Sequence, residues 1–298
     1  MKHWKPAAIA ALWSGALYAA PMPVVASFSI LGDVAQQIGG ERVGVQNLVG
    51  ANQDAHAYNL TSSDIKKIRE ARLVLLNGLG LEKAELQRAV KQSKVASAEA
   101  TAGIKPLAAD EHHHEHGHDH DHDHGEFDPH VWNDPVLMQR YAANVAIALI
   151  KADPAGSRYY QQRFKDYQHV LNQLNNYANQ QFGAVAPAKR KVLTGHDSFA
   201  YLGKRYQVKF ISPQGVSSEA EPSARQITAI IRQIKAENVK AVFTENIKDG
   251  RMIARIAKET GVKVSGGLYA DALSSGAPAG TYADMFRYNV RVMSEAMK

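Results

Sequence analysis

The 298-residue sequence contains no cysteine. Disulfides are thereby excluded, as is a lipid carried on an N-terminal cysteine, so an exported form must take its stability from apolar cores or a bound ion. Beyond the first twenty residues no apolar run approaches the ~20 residues of a membrane-spanning helix. The processed chain is therefore expected to be soluble. A dense block of Lys and Arg is missing too. The formal charge is +6, but the basic residues are scattered along helical patterns, which argues against a nucleic-acid partner.

What is present begins with a leader. Lys2, His3 and Lys5 make a positive start, and PAAIAALWSGALYAA follows as a short apolar run. This is the pattern of a secretory signal peptide, expected over residues 1–20. Tyr18 and Pro21 fit the cleavage site poorly, so the cut falls within a few residues of Ala20.

Short apolar runs bounded by turn residues alternate with stretches of helical period, which predicts an α/β fold with mostly parallel sheets. Strands are expected at 24–31, 43–49 and 73–77, with helices at 33–38, 62–70 and 82–92. A second set follows, with strands at 191–194, 208–212, 239–244 and 262–266 and helices at 198–206, 223–237 and 250–260. Between the sets, Tyr159, Tyr160, Phe164, Tyr167, Val170, Leu171, Leu174 and Tyr177 recur at spacings of three and four. They predict one amphipathic helix over 155–182, roughly 42 Å long. The expected organisation is an N-terminal α/β lobe over 21–154, a linking helix over 155–183 and a C-terminal α/β lobe over 184–298. One rigid helix laid across two lobes predicts a stiff monomer with limited closure. Residues 108–126, nearly free of apolar side chains, are expected to be disordered.

Open α/β sheets bind ligands at the carboxyl ends of their strands. The polar residues that follow the predicted strands, or lie in a loop at that edge, are few and alike: His56 in DAHAYNL, His130 in DPHVWNDP, His196 in GHDSFAYL and Asp271 in LYADALSS. Three imidazoles and one carboxylate form a four-coordinate set suited to Zn2+. Asp54, Asp128, Asn133, Asp134 and Asp197 are close enough in sequence to aim the imidazoles. His169, in the middle of the long helix, is read as structural. A zinc-dependent hydrolase would need an open coordination position and a base such as Glu219, Glu221 or Glu245. Asp271 closes that position, so the chain is expected not to be an enzyme.

The four motifs, in this order and with a histidine-rich insert before the second, resemble the zinc and manganese solute-binding proteins of bacterial ABC transporters, cluster A-I. The likeness runs from about Val24 to the C-terminus. It implies two α/β lobes joined by one long helix, an ion held between them, and His56, His130, His196 and Asp271 at the four ligand positions. It also implies a periplasmic location, a membrane ABC permease as recipient and a periplasmic zinc metallochaperone as a candidate donor. Two departures stand out: Ala55 precedes His56 where many relatives have proline, and His196 stands where manganese carriers often have glutamate. The second favours zinc over the alternative, a manganese carrier. Affinity should fall as pH drops through about 6.5, because the ligand imidazoles must be neutral.

Nine of the 13 histidines lie between His112 and His130. His112, His113, His114, His116, His118, His120, His122 and His124 alternate with Glu115, Asp119, Asp121 and Asp123, so this segment is expected to collect zinc weakly and pass it to His130. The plainer alternative is a solvated spacer.

Overall fold

In the computed structural model, residues 20–109 and 127–298 are described; the expected signal peptide and the histidines from His112 to His124 lie outside them. An antiparallel bridge between Ala108 and Phe127 closes the chain on either side of the histidine-rich segment.

Strands β1 (Met22–Phe28), β2 (Val43–Val49), β3 (Leu73–Leu76) and β4 (Ala96–Glu99) form a parallel sheet in the order β2-β1-β3-β4. Strands β5 (Lys191–Leu193), β6 (Lys209–Ile211), β7 (Ala241–Glu245) and β8 (Gly266–Leu268) form a second parallel sheet, ordered β6-β5-β7-β8. The two topologies are the same. Runs such as LVLL in β3 are buried throughout, as expected of strands covered by helices on both faces.

The helices are α1 (Ser29–Gly39), α2 (Ser62–Glu70), α3 (Ala84–Ser93), α4 (Leu137–Ala152), α5 (Ser157–Gly183), α6 (Ala200–Tyr206), α7 (Ala224–Glu237), α8 (Arg251–Thr260) and α9 (Tyr282–Ala296). Capping boxes start two of them, Thr61 with Asp64 for α2 and Ser223 with Gln226 for α7. Each box satisfies backbone donors that the first turn leaves free.

Helix α5 buries Tyr160, Tyr167, Leu171, Leu174, Ala178 and Phe182 along one stripe. At 1.5 Å per residue it is roughly 40 Å long, enough to pack on α1 and α4 from the first half and on α6 and α9 from the second. One apolar core consequently runs through both halves, with Phe28, Trp132, Leu174, Phe243 and Phe286 in it. Smaller cores lie beneath α2 and α3 and beneath α7 and α8. Polar ties cross between the halves as well. Tyr282 donates its N–H to Asp33 Oδ2 (2.8 Å), Leu273 N–H to Ser29 Oγ (3.0 Å) and Asn52 N–H to the Leu273 carbonyl (2.8 Å). Among the described residues, no helix is long and apolar enough to cross a membrane.

Several expected boundaries move by a few residues, and two of them have a clear physical reason. The strand expected to reach residue 31 ends at Phe28, and Ser29, Ile30, Leu31 and Gly32 are buried in α1 instead. The apolar run is continuous across the junction because both elements are buried, so the change of period leaves no polar mark. Gly32 allows the close approach: a Cβ there would meet Asn47 Oδ1 at 1.8 Å. The strand expected at 262–266 lies at Gly266–Leu268. Val262 instead closes α8, donating its N–H to the Ala257 carbonyl just after Gly261 at φ +75°. That is the left-handed helix ending in which an apolar residue follows glycine.

Candidate metal centre

His56 lies in the loop after β2, with its backbone N–H held by Asp54 Oδ1 at 2.9 Å. His130 sits in the turn Asp128-Pro129-His130, where Asp128 Oδ1 accepts the His130 backbone N–H at 2.9 Å and faces ring Nδ1 at 2.7 Å. His196 follows β5. Glu245, ending the neighbouring strand β7, accepts the N–H groups of Gly195 and His196 on Oε1 (2.8 and 3.2 Å) and faces His196 Nδ1 with Oε2 at 2.6 Å. A carboxylate on Nδ1 fixes the ring and leaves Nε2 as the coordinating atom.

Asp271 lies in the loop after β8. Its position is set from the first half of the chain: Trp132 Nε1–H donates to the carbonyl of Ala270 at 2.8 Å. Trp132 also stands edge-on to His130, ring centroids 5.1 Å apart.

The four side chains converge. His56 Nε2 is 3.1 Å from His130 Nε2, and Asp271 Oδ2 is 3.0 Å from His196 Nε2 and 3.5 Å from His56 Nε2. Asp271 Oδ1 is 3.5 Å from His130 Nε2, and one potential ligand atom from each residue lies within 4.8 Å of all the others. His130, His196 and Asp271 are fully buried and His56 is 7% exposed. Among the described residues, His196 Nε2 and both Asp271 oxygens have no hydrogen-bond partner.

The charges are strongly coupled. Burial, reinforced by the neighbouring imidazoles and Lys248, pushes the His56 ring down to about 3, against the pull of Asp271. Burial acts on His196 as well, but Glu245 and Asp271 outweigh it and raise the ring well above its ordinary value. For Asp271 burial is outweighed by His196, His130 and His56, which hold it below the usual carboxylate range. The cluster thus keeps an anion at its centre, facing imidazole nitrogens.

The other residues named from the sequence have different contacts. Asn133 donates Nδ2–H to the Ser198 carbonyl, tying the His130 and His196 loops together. Asp134 pairs with Arg205 and accepts the N–H of Val136. Asp54 accepts from Ser218 Oγ at 2.5 Å besides holding the His56 backbone, and the N–H of Asp197 donates to the Gly215 carbonyl. Asp128 faces an imidazole nitrogen, Nδ1 of His130. His169 is exposed on α5. Glu245, considered from the sequence only as a hydrolytic base, holds His196 instead. Its place at the end of an apolar strand, AVFTE, is visible in the sequence, but its pairing with His196 is not. Glu219 pairs with Lys83.

Residues 24–296 match the family model described as ZnuA, zinc-uptake complex component A, periplasmic. The chain is 32% identical over 287 residues to the manganese-binding lipoprotein MntA of Bacillus subtilis (strain 168), covering 93% of this chain and 90% of that protein. Among solved structures it is similar to the periplasmic zinc-binding protein TroA from Treponema pallidum (25% identity, TM-score 0.84, covering 93% and 99% of the two chains). It is similar also to a manganese-bound periplasmic metal-binding protein from Candidatus Liberibacter asiaticus (28% identity, TM-score 0.80, covering 93% and 100%). With nearly its whole length matched, the chain belongs to this family, the metal-binding substrate-binding proteins of ABC transporters, and is not an enzyme.

Proposed function

We propose that this protein binds zinc between its two lobes through His56, His130, His196 and Asp271 and delivers it to a membrane ABC permease. The observation that carries the reading is the convergence of three buried imidazoles on the buried Asp271 carboxylate, whose neighbours are the ring nitrogens themselves. A buried carboxylate held only in this way is costly unless a cation compensates it. A divalent ion at the centre would complete all of these atoms at once.

Zinc is favoured by ligand type. Tetrahedral bonds of 2.0–2.1 Å place ligand atoms roughly 3.3–3.4 Å apart, and the ligand atoms here lie from 3.0 Å to at most 4.8 Å from one another, close enough to share one ion. Three neutral imidazoles suit zinc better than manganese, which prefers more oxygen. Manganese is the second reading. The relatives named as manganese-binding support it, and so does Asp271, whose two free oxygens could supply a fifth donor atom. Competition distinguishes the two. Protein purified without chelator or added metal should contain zinc and keep it against excess manganese, and His196→Ala should lose zinc affinity by orders of magnitude. Displacement of zinc by manganese would favour the second reading.

In this reading residues 1–20 direct export to the periplasm, and the histidines from His112 to His124 collect zinc for the buried site. Deleting 111–125 should slow loading at limiting zinc and leave affinity nearly intact; unchanged loading rates would make the segment a spacer.

A further inference from the structure

An ion held by four buried side chains can leave only after one of them lets go. His130 and His196 are each fixed at Nδ1 by a carboxylate, Asp128 at 2.7 Å and Glu245 at 2.6 Å, and the loop of Asp271 is tied down by Trp132 at 2.8 Å. No such partner of His56 Nδ1 is present among the described residues. His56 is also 7% exposed, whereas the other three are fully buried. It is the ligand with the freest ring and the one that reaches solvent.

The loop that carries His56, between β2 and α2, is held from the other half of the chain. The N–H of Asn52 donates to the Leu273 carbonyl at 2.8 Å, and its Oδ1 accepts from Asn246 Nδ2 at 3.0 Å. Asp54 makes the link nearest His56. Its Oδ1 accepts the backbone N–H of His56 at 2.9 Å, and its Oδ2 accepts the hydroxyl of Ser218, in the loop after β6, at 2.5 Å. Ser218 is fully buried, and its carbonyl accepts from Gln214 Nε2 at 3.1 Å, so the hydroxyl is presented by a loop that is itself fixed. A hydroxyl that donates to a carboxylate makes one of the stronger hydrogen bonds. One carboxylate thus joins the backbone of the most accessible ligand to the opposite half. Lys83 and Glu219 pair across the same seam at 2.8 Å, but their side chains are 30% and 48% exposed, and an exposed pair holds little.

Helix α5 and the core shared by both halves oppose a wide hinge. Opening one loop disrupts far fewer contacts. We propose that the ion exchanges through the His56 loop, and that Asp54 and Ser218 are positioning residues that set the rate: while Ser218 holds Asp54, the His56 turn stays shut over the ion, and exchange waits for that bond to break. The inference rests on the four-ligand site proposed above and adds which ligand leaves first and what restrains it.

The test is stopped-flow transfer of zinc from the loaded full chain to excess chromophoric chelator, followed by reloading of metal-free protein from a zinc buffer. Ser218→Ala removes the hydroxyl and should speed release about tenfold or more. The restraint acts in both directions, so loading should quicken as well, and affinity should change less than release does. A site that is merely loosened would release faster without loading faster. Glu219→Gln, which breaks the other pair across the seam, should alter release by no more than about threefold. Release from Ser218→Ala at the unmodified rate, faster release without faster loading, or equal acceleration in Glu219→Gln overturns the proposal while leaving the zinc site intact. An unmodified protein that takes up no zinc would overturn the proposed function, and this inference with it.

Discussion

Oε2 of Glu245 lies 2.6 Å from Nδ1 of His196, while Oε1 of the same carboxylate accepts the backbone N–H groups of Gly195 and His196. One side chain at the end of β7 therefore fixes both the loop and the ring that follow β5. The pairing is possible because the two strands are neighbours in the sheet although some fifty residues separate them in the chain.

Glu245→Gln keeps the shape and removes the charge. Removing an outer partner of a ligating imidazole typically costs 10–100-fold in metal affinity, and a loss of about that size is expected here. Competition with a chromophoric zinc chelator measures it. Unchanged affinity would show that the carboxylate does not tune His196.

The pH dependence follows from opposite shifts of two histidines. His56, pushed down to about 3, is already neutral at every physiological pH and sets no threshold there. His196 is raised, so the metal-free protein keeps its proton above the ordinary 6.5, and zinc must displace it. Zinc affinity should therefore begin to fall at a pH above 6.5, higher than ordinary histidines would give. Calorimetry at about pH 7.5 in buffers of different ionisation enthalpy should record about one proton released per zinc. No release would mean that His196 is neutral before binding.

Trp132 is the only tryptophan after residue 13, and its ring stands beside His130. Zinc binding should change its emission; constant emission through saturation would place the ion away from His130. Trp132→Phe removes the donor to the Ala270 carbonyl and leaves that carbonyl unpaired, a cost of about 1–3 kcal/mol. Urea unfolding of the metal-free variant reads the loss, and an unaltered midpoint would show that this bond does not hold the two loops together.

The sequence carried the two α/β halves, the long helix and the residues His56, His196 and Asp271 because each leaves a local mark: a period of three and four along α5, or a polar residue after an apolar run; His130 stood out in DPHVWNDP beside the histidine-rich segment. Helices α4 and α9 carry the same spacing, at Met138, Tyr141, Val145 and Leu149 and at Tyr282, Phe286, Val290 and Met293, and lie outside the expected elements. Strand β4, ASAE, is short and mostly exposed, so neither alternation nor an apolar run marks it. The partners of the imidazoles were harder. Asp128 is two residues from His130 and could be named, whereas Glu245 meets His196 only through the pairing of β5 with β7, which no local pattern encodes. Nearness in sequence misled for Asp134 and Asn133, which lie close to His130 along the chain yet bind Arg205 and the Ser198 carbonyl.

Zinc K-edge absorption of the zinc-loaded protein tests the central claim most directly. The cage of His56, His130, His196 and Asp271 predicts a four-coordinate centre with nitrogen and oxygen ligands at about 2.0–2.2 Å, three of them showing imidazole scattering, and loss of one imidazole in His196→Ala. A six-coordinate, water-rich centre, or fewer than three imidazoles in the unmodified protein, would contradict it.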